Sequence, residues 1–324
     1  MTAATGLKTV FLGSPPFATE VFQRLCQTRH KPVLLVTPPD RKRGRGRKVE
    51  RSPLVELAIA HGVDVLQPRT VKDDAVVAQL ADLEPDLFVV VSYGELLREP
   101  FLELPKHGSV NVHPSLLPRW RGATPIPAAL LAGDELTGTT IQRMVLALDA
   151  GDVIEQREHA VRPDDTTGSL MARLAVLSAE ALEAACDGIA DGTASFTPQD
   201  PQGVTLCKKL KKADGELDFT LEAAALERRV RAMHPWPGAF TTLPGGDVLR
   251  VWKARVVDGD PMQPAGSVLE AKERFVVQAG IGALELLEVQ APGKRAMDAA
   301  SLLRGRSLEV GSEMGATEDE AEAR

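Results

Sequence analysis

Leu87-Phe88-Val89-Val90-Val91 is an unbroken apolar run that Ser92-Tyr93-Gly94 brings to an end. Five apolar residues in succession, three of them valine, suit a strand covered on both faces, because a half-exposed strand alternates. Working outward, residues 8–13 form a second short apolar run closed by Gly13-Ser14-Pro15-Pro16, and Pro32-Val33-Leu34-Leu35-Val36-Thr37 a third. Between them, Phe17, Val21, Phe22 and Leu25 recur at helical spacing over residues 17–28. A helix over about Pro53–His61 and a short strand at 63–66 follow. Strands alternating with helices predict a largely parallel sheet with helices on both faces, and such sheets bind ligands beyond the carboxyl ends of their strands. Tyr93-Gly94 and the segment 111–118 fall there.

The turn at Gly13-Ser14-Pro15-Pro16 invites a dinucleotide site, but it lacks GxGxxG and carries two prolines, so a plain strand-to-helix turn is the better reading. Further on, the pattern predicts a strand at about 152–159 and a long Ala/Leu helix at about 167–190. Residues 191–212, with Pro198, Pro201 and Gly203, read as a linker. A helix around 220–232 leads to Pro235-Trp236-Pro237-Gly238, where Trp236 reads as packing for the second domain. Short β-like segments at 239–243, 247–256, 266–270, 274–279 and 283–289 then predict a small, compact β domain. The expected division is a catalytic domain over 1–190, the linker 191–212, a β domain over 213–312 and an acidic disordered tail over 313–324.

The 324 residues exceed one ordinary core and suit two domains. Hydrophobic residues at 44% and charged residues at 26% fit a soluble globular chain, and with aromatics at 4% the core must come from Ala, Val and Leu. No apolar run approaches a membrane span and no signal peptide precedes the first strand, so a cytoplasmic protein without a membrane partner is expected. Cys26, Cys186 and Cys207 lie far apart, which indicates neither a disulfide framework nor a metal site.

A net charge of −7 argues against a nucleic-acid partner, yet the distribution argues the other way. Residues 41–51 hold seven cations, among them Arg41, Lys42, Arg43, Arg45, Arg47 and Lys48, with two glycines and Val49 as the lone hydrophobe. Such a loop could be solvated surface, but in an acidic chain it suits phosphate contacts better. Lys208, Lys209 and Lys211 form a second cluster, either a helix-end charge group or a stretch that touches a nucleic-acid backbone.

The chemistry concentrates in Asn111-Val112-His113-Pro114-Ser115-Leu116-Leu117-Pro118-Arg119-Trp120-Arg121-Gly122 and in Leu148-Asp149-Ala150-Gly151-Asp152. In an extended segment, Asn111 and His113 face the same side, and Pro114 favours that conformation for His113. An amide for an oxyanion, an imidazole for a proton and a carboxylate to orient it suit acyl transfer without a protein nucleophile. Spacing does not choose between Asp149 and Asp152. Each residue also has a bland reading: His113 satisfied by a loop carbonyl, Asn111 bracing a turn, Asp149 opening one. Arg119, Trp120 and Arg121 could be a cation–π cluster that stabilises the loop or a substrate contact.

Together these motifs resemble the methionyl-tRNA formyltransferase family, and the likeness runs from Val10-Phe11-Leu12-Gly13 through Arg231-Ala232-Met233-His234-Pro235-Trp236-Pro237 to Pro292-Gly293-Lys294-Arg295. The resemblance implies a Rossmann-like N-terminal formyltransferase domain and a C-terminal OB-like β-barrel that binds tRNA. It implies transfer of the formyl group of 10-formyltetrahydrofolate, a co-substrate, to the α-amine of methionyl-initiator tRNA, with no metal and a monomeric chain. It assigns catalysis to Asn111, His113 and Asp149, folate contacts to Ser115, Leu116, Leu117 and Pro118 beside Tyr93 and Gly94, and tRNA contacts to the basic loop, with Arg45 foremost. Met144-Val145 departs from a common Met-acidic pair. The alternatives are a relative acting on an amino sugar, a glycinamide nucleotide or water, and an inert nucleic-acid-binding relative. The basic loop and second domain weigh against a glycinamide enzyme, and the intact catalytic set weighs against an inert relative.

Overall fold

The computed structural model describes residues 6–40, 42–43 and 48–315, with the backbone alone at 42–43 and 48–49. Contacts divide the described chain into two compact units, one running through Pro125 with Leu136–Ala160 and Met171–Lys208, the other comprising Ile126–Glu135, Val161–Leu170 and the chain from Lys209 on.

In the first unit, β1 (Thr9–Gly13), α1 (Phe17–Leu25) and β2 (Leu34–Val36) precede the two-residue strands β3 (Lys42–Arg43) and β4 (Lys48–Val49). Next come α2 (Pro53–Ala60), β5 (Asp64–Leu66), α3 (Asp74–Asp82), β6 (Leu87–Val91), α4 (Glu99–Leu102) and β7 (Ser109–His113). The chain continues with β8 (Arg121–Gly122), α5 (Pro125–Ala132), β9 (Leu136–Arg143), β10 (Val153–Ala160), α6 (Thr167–Asp191) and β11 (Leu206–Cys207). The main sheet has the order β10-β9-β7-β6-β1-β2-β5. Its five strands from β5 to β7 are parallel, while β9 and β10 are antiparallel additions at one edge.

The apolar run that ends at Val91 is the reason this sheet sits where it does. β1 and β6 are buried along their whole length, as strands between two helical layers must be. Val10, Leu12, Phe88 and Val90 pack on one face with Leu80 of α3 and Phe101 of α4. On the other face Phe11 meets Phe22 of α1 edge-on, 5.0 Å between ring centres. Each such side chain contributes about 1.5–3 kcal/mol on leaving water. The result is a rigid edge, at the carboxyl ends of β1, β2, β6 and β7, on which loops can carry chemistry.

The segment 191–212 differs from the linker expected of it. Its composition does make it irregular, but Thr197 bridges Val153, and β11 pairs in parallel with β8. Residues through Lys208 therefore belong to the first unit.

The second unit holds α7 (Ala223–Ala232), then β12 (Ala239–Thr242), β13 (Val248–Val257), β14 (Val268–Ala271), β15 (Phe275–Gln278), β16 (Ala283–Gln290), β17 (Met297–Asp298) and α8 (Ala299–Gly305). The strands form an antiparallel sheet in the order β12-β13-β16-β15-β14, with β17 beside β16. Residues 126–135 and 161–170 join this unit although they precede α6 in the chain. Helix α7 explains it: Arg228 Nε donates to the Leu131 carbonyl (3.2 Å), and the Ala232 carbonyl accepts from Thr167 Oγ1 (2.6 Å).

Two expectations for this unit change. Trp236 is 54% exposed, so it does not pack the domain as expected, and Trp252 takes the partly buried place against His234. Nor do Glu313, Met314 and Gly315 form the tail expected of them. Glu313 bridges Ser267, the Met314 N–H donates to Gly266 O and the Gly315 N–H to Thr242 O, both at 2.8 Å. Residues 311–315 thus link β14 to β12 and close the sheet edge to edge, with Met314 only 3% exposed. The rest of the tail, 316–324, lies outside the described residues. Met314→Ala should destabilise the second unit by about 2–5 kcal/mol, the cost of emptying a buried methionine site. Equilibrium denaturant unfolding of the variant against the wild-type chain checks this.

Candidate active site

β7 runs parallel to β6 and delivers Asn111 and His113 to the carboxyl edge, both on the same side of the strand. Across from them, the chain after β9 turns back through Leu148–Gly151. Asp149 sits in this turn with φ +47°, a left-handed conformation that aspartate tolerates better than most residues. The turn is tight because Gly151 lies against Arg143, where a Cβ would come within 1.8 Å of the Arg143 carbonyl oxygen.

The Asp149 carboxylate is the centre of the set. Its Oδ1 accepts from Gln142 Nε2 (3.0 Å) and, at greater length, from Asn111 Nδ2 (3.4 Å), and it stands 3.8 Å from His113 Nδ1. Its Oδ2 accepts the Gly122 N–H at 2.8 Å. Asp152 bonds the Arg143 N–H through its backbone carbonyl and places no carboxylate oxygen on Asn111 or His113. Among the described residues, the second amide hydrogen of Asn111 has no protein partner, so it is free for a substrate oxygen.

His113 is 4% exposed, and its Nε2 lies 2.9 Å from the Trp120 carbonyl oxygen. A carbonyl only accepts, so Nε2 carries the hydrogen and the neutral ring keeps its lone pair on Nδ1, towards Asp149. Burial lowers the His113 pKa from its ordinary 6.5, outweighing the opposing pull of Asp149 and of the Trp120 carbonyl. The expectation that Asp149 orients the imidazole is thereby corrected. The backbone of Trp120 does so, and Trp120 holds a left-handed φ of +61° in that position.

The loop from Pro114 to Gly122 is braced from within. Ser115 is fully buried and its hydroxyl donates to the Arg119 carbonyl (2.6 Å), so its side chain shapes the loop. Leu117 is buried too; its N–H donates to Thr140 Oγ1 and its carbonyl accepts from Gln156. Leu116 and Pro118 are partly exposed. Arg119 lies over the Trp120 ring, 4.4 Å from its centre, whereas Arg121 points to Gln199. From the far side, Thr205 and Cys207 hold the same loop: Trp120 N–H donates to Thr205 Oγ1 (2.8 Å), and the Cys207 Sγ sits 3.4 Å from the Trp120 carbonyl oxygen. Burial raises the Cys207 pKa, which keeps the thiol protonated.

A separate cavity of about 400 Å³ opens at the carboxyl ends of β1, β2 and β6, lined by Ser14, Thr37, Asp40, Glu50, Ser52, Tyr93 and Gly94 among others. Among the described residues, Ser52 Oγ is buried there without a partner. The Tyr93 ring belongs to the core, and burial, with Glu95 beside it, pushes its phenol up to about 12. Of the basic loop, the backbone of Lys42–Arg43 pairs antiparallel with Lys48–Val49, whereas Arg41, Arg45 and Arg47 lie outside the described residues. Lys208, Lys209 and Lys211 are exposed. Sequence reasoning missed Gln142, Gln199 and the Gly122 N–H. Gln142 is one polar residue in a strand, and Gln199 stands in a stretch that reads as a linker.

Residues 7–186 match the formyl transferase family and residues 209–307 the formyl transferase C-terminal domain, and the chain belongs to that family. Within it, this chain is a member of the methionyl-tRNA formyltransferases. It is 46% identical over 309 residues to the methionyl-tRNA formyltransferase of Methylococcus capsulatus, covering 95% of this chain and 100% of that one. It is 43% identical to that of Symbiobacterium thermophilum, covering 94% of each. The N-formyltransferase from Helicobacter canadensis, solved in complex with folinic acid and dTDP-3-aminofucose, shares the fold. Its TM-score is 0.65 at 14% identity, over 86% of this chain and 99% of that one.

Gly122 joins two constraints, a φ of +119° and a position where a Cβ would lie 2.2 Å from the Cys207 carbonyl oxygen. Gly122→Ala should therefore pull its N–H off Asp149 and lower kcat/KM for the formyl acceptor by about a hundredfold, as small displacements in active sites do. Steady-state kinetics measures it.

Proposed function

We infer that the chain transfers the formyl group of 10-formyltetrahydrofolate to the α-amine of methionyl-tRNA, with the initiator tRNA as acceptor and the cytoplasm as the place of reaction. The observation that carries this is the convergence of Asn111, His113 and Asp149 at one sheet edge, in a chain nearly half identical to a methionyl-tRNA formyltransferase over its full length.

The geometry suits direct attack. The neutral amine adds to the formyl carbon on N10, and the carbonyl oxygen gains the negative charge. The free N–H of Asn111 donates to that oxygen, a contact whose removal elsewhere has cost about 2.7–4 kcal/mol. The Nδ1 lone pair of His113 takes the proton that the amine must lose. The imidazolium so formed stands 3.8 Å from Asp149 Oδ1, which stabilises it until the proton passes to the departing N10. Collapse then breaks the C–N10 bond, leaving an N-formyl amine and tetrahydrofolate. A base already deprotonated is what a buried, neutral histidine supplies. Folate contacts are assigned to the partly exposed Leu116 and Pro118 and the exposed Gly94, with Ser115, Leu117 and Tyr93 shaping the walls.

Asn111→Ala and His113→Ala should each lower kcat by about two orders of magnitude or more while leaving the fold intact. The sign of the pH dependence follows from burial. His113 acts as its neutral form, and its pKa in the folded chain lies below 6.5. Beside the limb set by the acceptor's own α-amine, which the free aminoacyl-tRNA shows by itself, kcat/KM should therefore carry the His113 limb only below pH 6.5. A second limb centred at or above 6.5, distinct from that of the acceptor amine, sinks the assignment of His113 as the base.

For the tRNA footprint we propose Arg41, Lys42, Arg43, Arg45, Arg47 and Lys48 of the loop, joined by Lys208, Lys209 and Lys211. Seven cations in eleven residues of an acidic chain support this reading. Neutralising Arg43, Arg45 and Arg47 together should weaken tRNA binding and flatten its salt dependence, by somewhat under one unit of log–log slope for each phosphate left without its cation. Folate affinity should stay unchanged. Filter binding across a salt series tests this, and an unaltered slope places the footprint elsewhere.

A further inference from the structure

We propose that Gln199 is a positioning residue for formyl transfer, the middle member of a one-way chain of hydrogen bonds that runs from Arg121 to the Asp149 carboxylate. The proposal rests on the reaction inferred above. It concerns a residue that lies between the two segments matched to the family, residues 7–186 and 209–307.

The direction of the chain follows from its ends. A guanidinium can only donate and a carboxylate can only accept. Arg121 places Nε and a terminal nitrogen on Gln199 Oε1, at 3.0 and 2.8 Å, so the Gln199 oxygen must face Arg121. Its Nε2 then faces the other way and meets three acceptors: the Gly151 carbonyl at 2.7 Å, the Asp149 carbonyl at 2.9 Å and Gln142 Oε1 at 3.2 Å. Gln142, with its oxygen engaged by Gln199, turns its own amide towards Asp149 Oδ1 (3.0 Å). Neither amide can flip without setting acceptor against acceptor or donor against donor.

Gln199 therefore acts on the carboxylate twice. Through the two carbonyls it holds the backbone of the left-handed turn, and through Gln142 it supplies a donor to Oδ1. That oxygen is also the one next to His113 Nδ1 and Asn111 Nδ2. The strand pair β8–β11 and the bridge of Thr197 to Val153 flank Gln199 on either side along the chain, so its backbone is held. Arg121, which places Nε and one terminal nitrogen on Gln199, is a brace for this chain of bonds.

Two substitutions test it. Gln199→Leu keeps the size and removes every bond. Gln199→Glu keeps both Arg121 bonds but turns an acceptor oxygen towards the Asp149, Gly151 and Gln142 oxygens. Turnover is measured with methionyl-tRNA and 10-formyltetrahydrofolate, expressed per active site titrated with a folate analogue, and KM for both substrates is determined. We expect kcat to fall roughly ten- to hundredfold in Gln199→Leu and further in Gln199→Glu, with both KM values within about twofold of wild type. Arg121→Leu, which frees the Gln199 amide to flip, should reproduce the kcat loss. Unchanged kcat per titrated site in both Gln199 variants overturns the proposal, as does a loss of titratable sites with normal turnover in those that remain. A rise in KM at constant kcat, or Gln199→Glu outperforming Gln199→Leu, also overturns it. Wild-type turnover is the separate control: its absence would overturn the inferred reaction itself.

Discussion

A carboxylate whose side chain is only 14% exposed has to be met by donors, and most of this active site consists of the means of meeting Asp149. Gln142, Asn111 and the Gly122 N–H converge on its two oxygens from three separate elements. Each comes with its own requirement. β9 must lie beside β7 so that Gln142 faces the turn. Gly122 must lack a side chain so that β11 can approach. Gly151 must lack one so that the turn can close on Arg143. The antiparallel pair β9–β10 at the edge of the parallel sheet thus serves the site as well as the core.

The same enclosure sets the state of His113. Asp149 and the Trp120 carbonyl both favour the imidazolium, but burial of the ring outweighs them. For the base role proposed for His113 this ordering is the useful one, because the resting ring is neutral and the charge would appear only during reaction, beside a carboxylate already held in place. An exposed histidine at the same distance from Asp149 would rest partly protonated near neutral pH, and that fraction would present no base.

Much of the first unit was legible because its signals are local. The apolar runs around Val10, Leu35 and Val89 are strands as expected, and the alternation with helices predicts the parallel order. The i, i+2 spacing of Asn111 and His113 places both beside one Asp149 oxygen, as an extended segment should. What local pattern cannot carry is long-range bonding. Glu313, Met314 and Gly315 read as tail, yet the backbone bonds of residues 311–315 close the second sheet. Trp236 reads as core by its type, yet more than half of it is exposed. Gln199 is fifty residues from Asp149 in sequence, and nothing in its neighbours signals a partner.

The connecting segment shows why a division by sequence order misplaces function here. A catalytic domain drawn to residue 190 omits Gln199, Thr205 and Cys207, and with them the bonds that hold the Trp120 carbonyl, the Gly122 approach and the Asp149 turn. A stretch rich in proline and glycine can still be structural, because its own lack of regular bonding leaves backbone and side-chain groups free to satisfy those of others. Here Pro118 O, Trp120 N and Arg121 N, groups of a loop that no helix or main-sheet strand could pair, all bond to Thr205. The irregular segment and the irregular loop each satisfy the other, and His113 takes its tautomer from the carbonyl they hold between them.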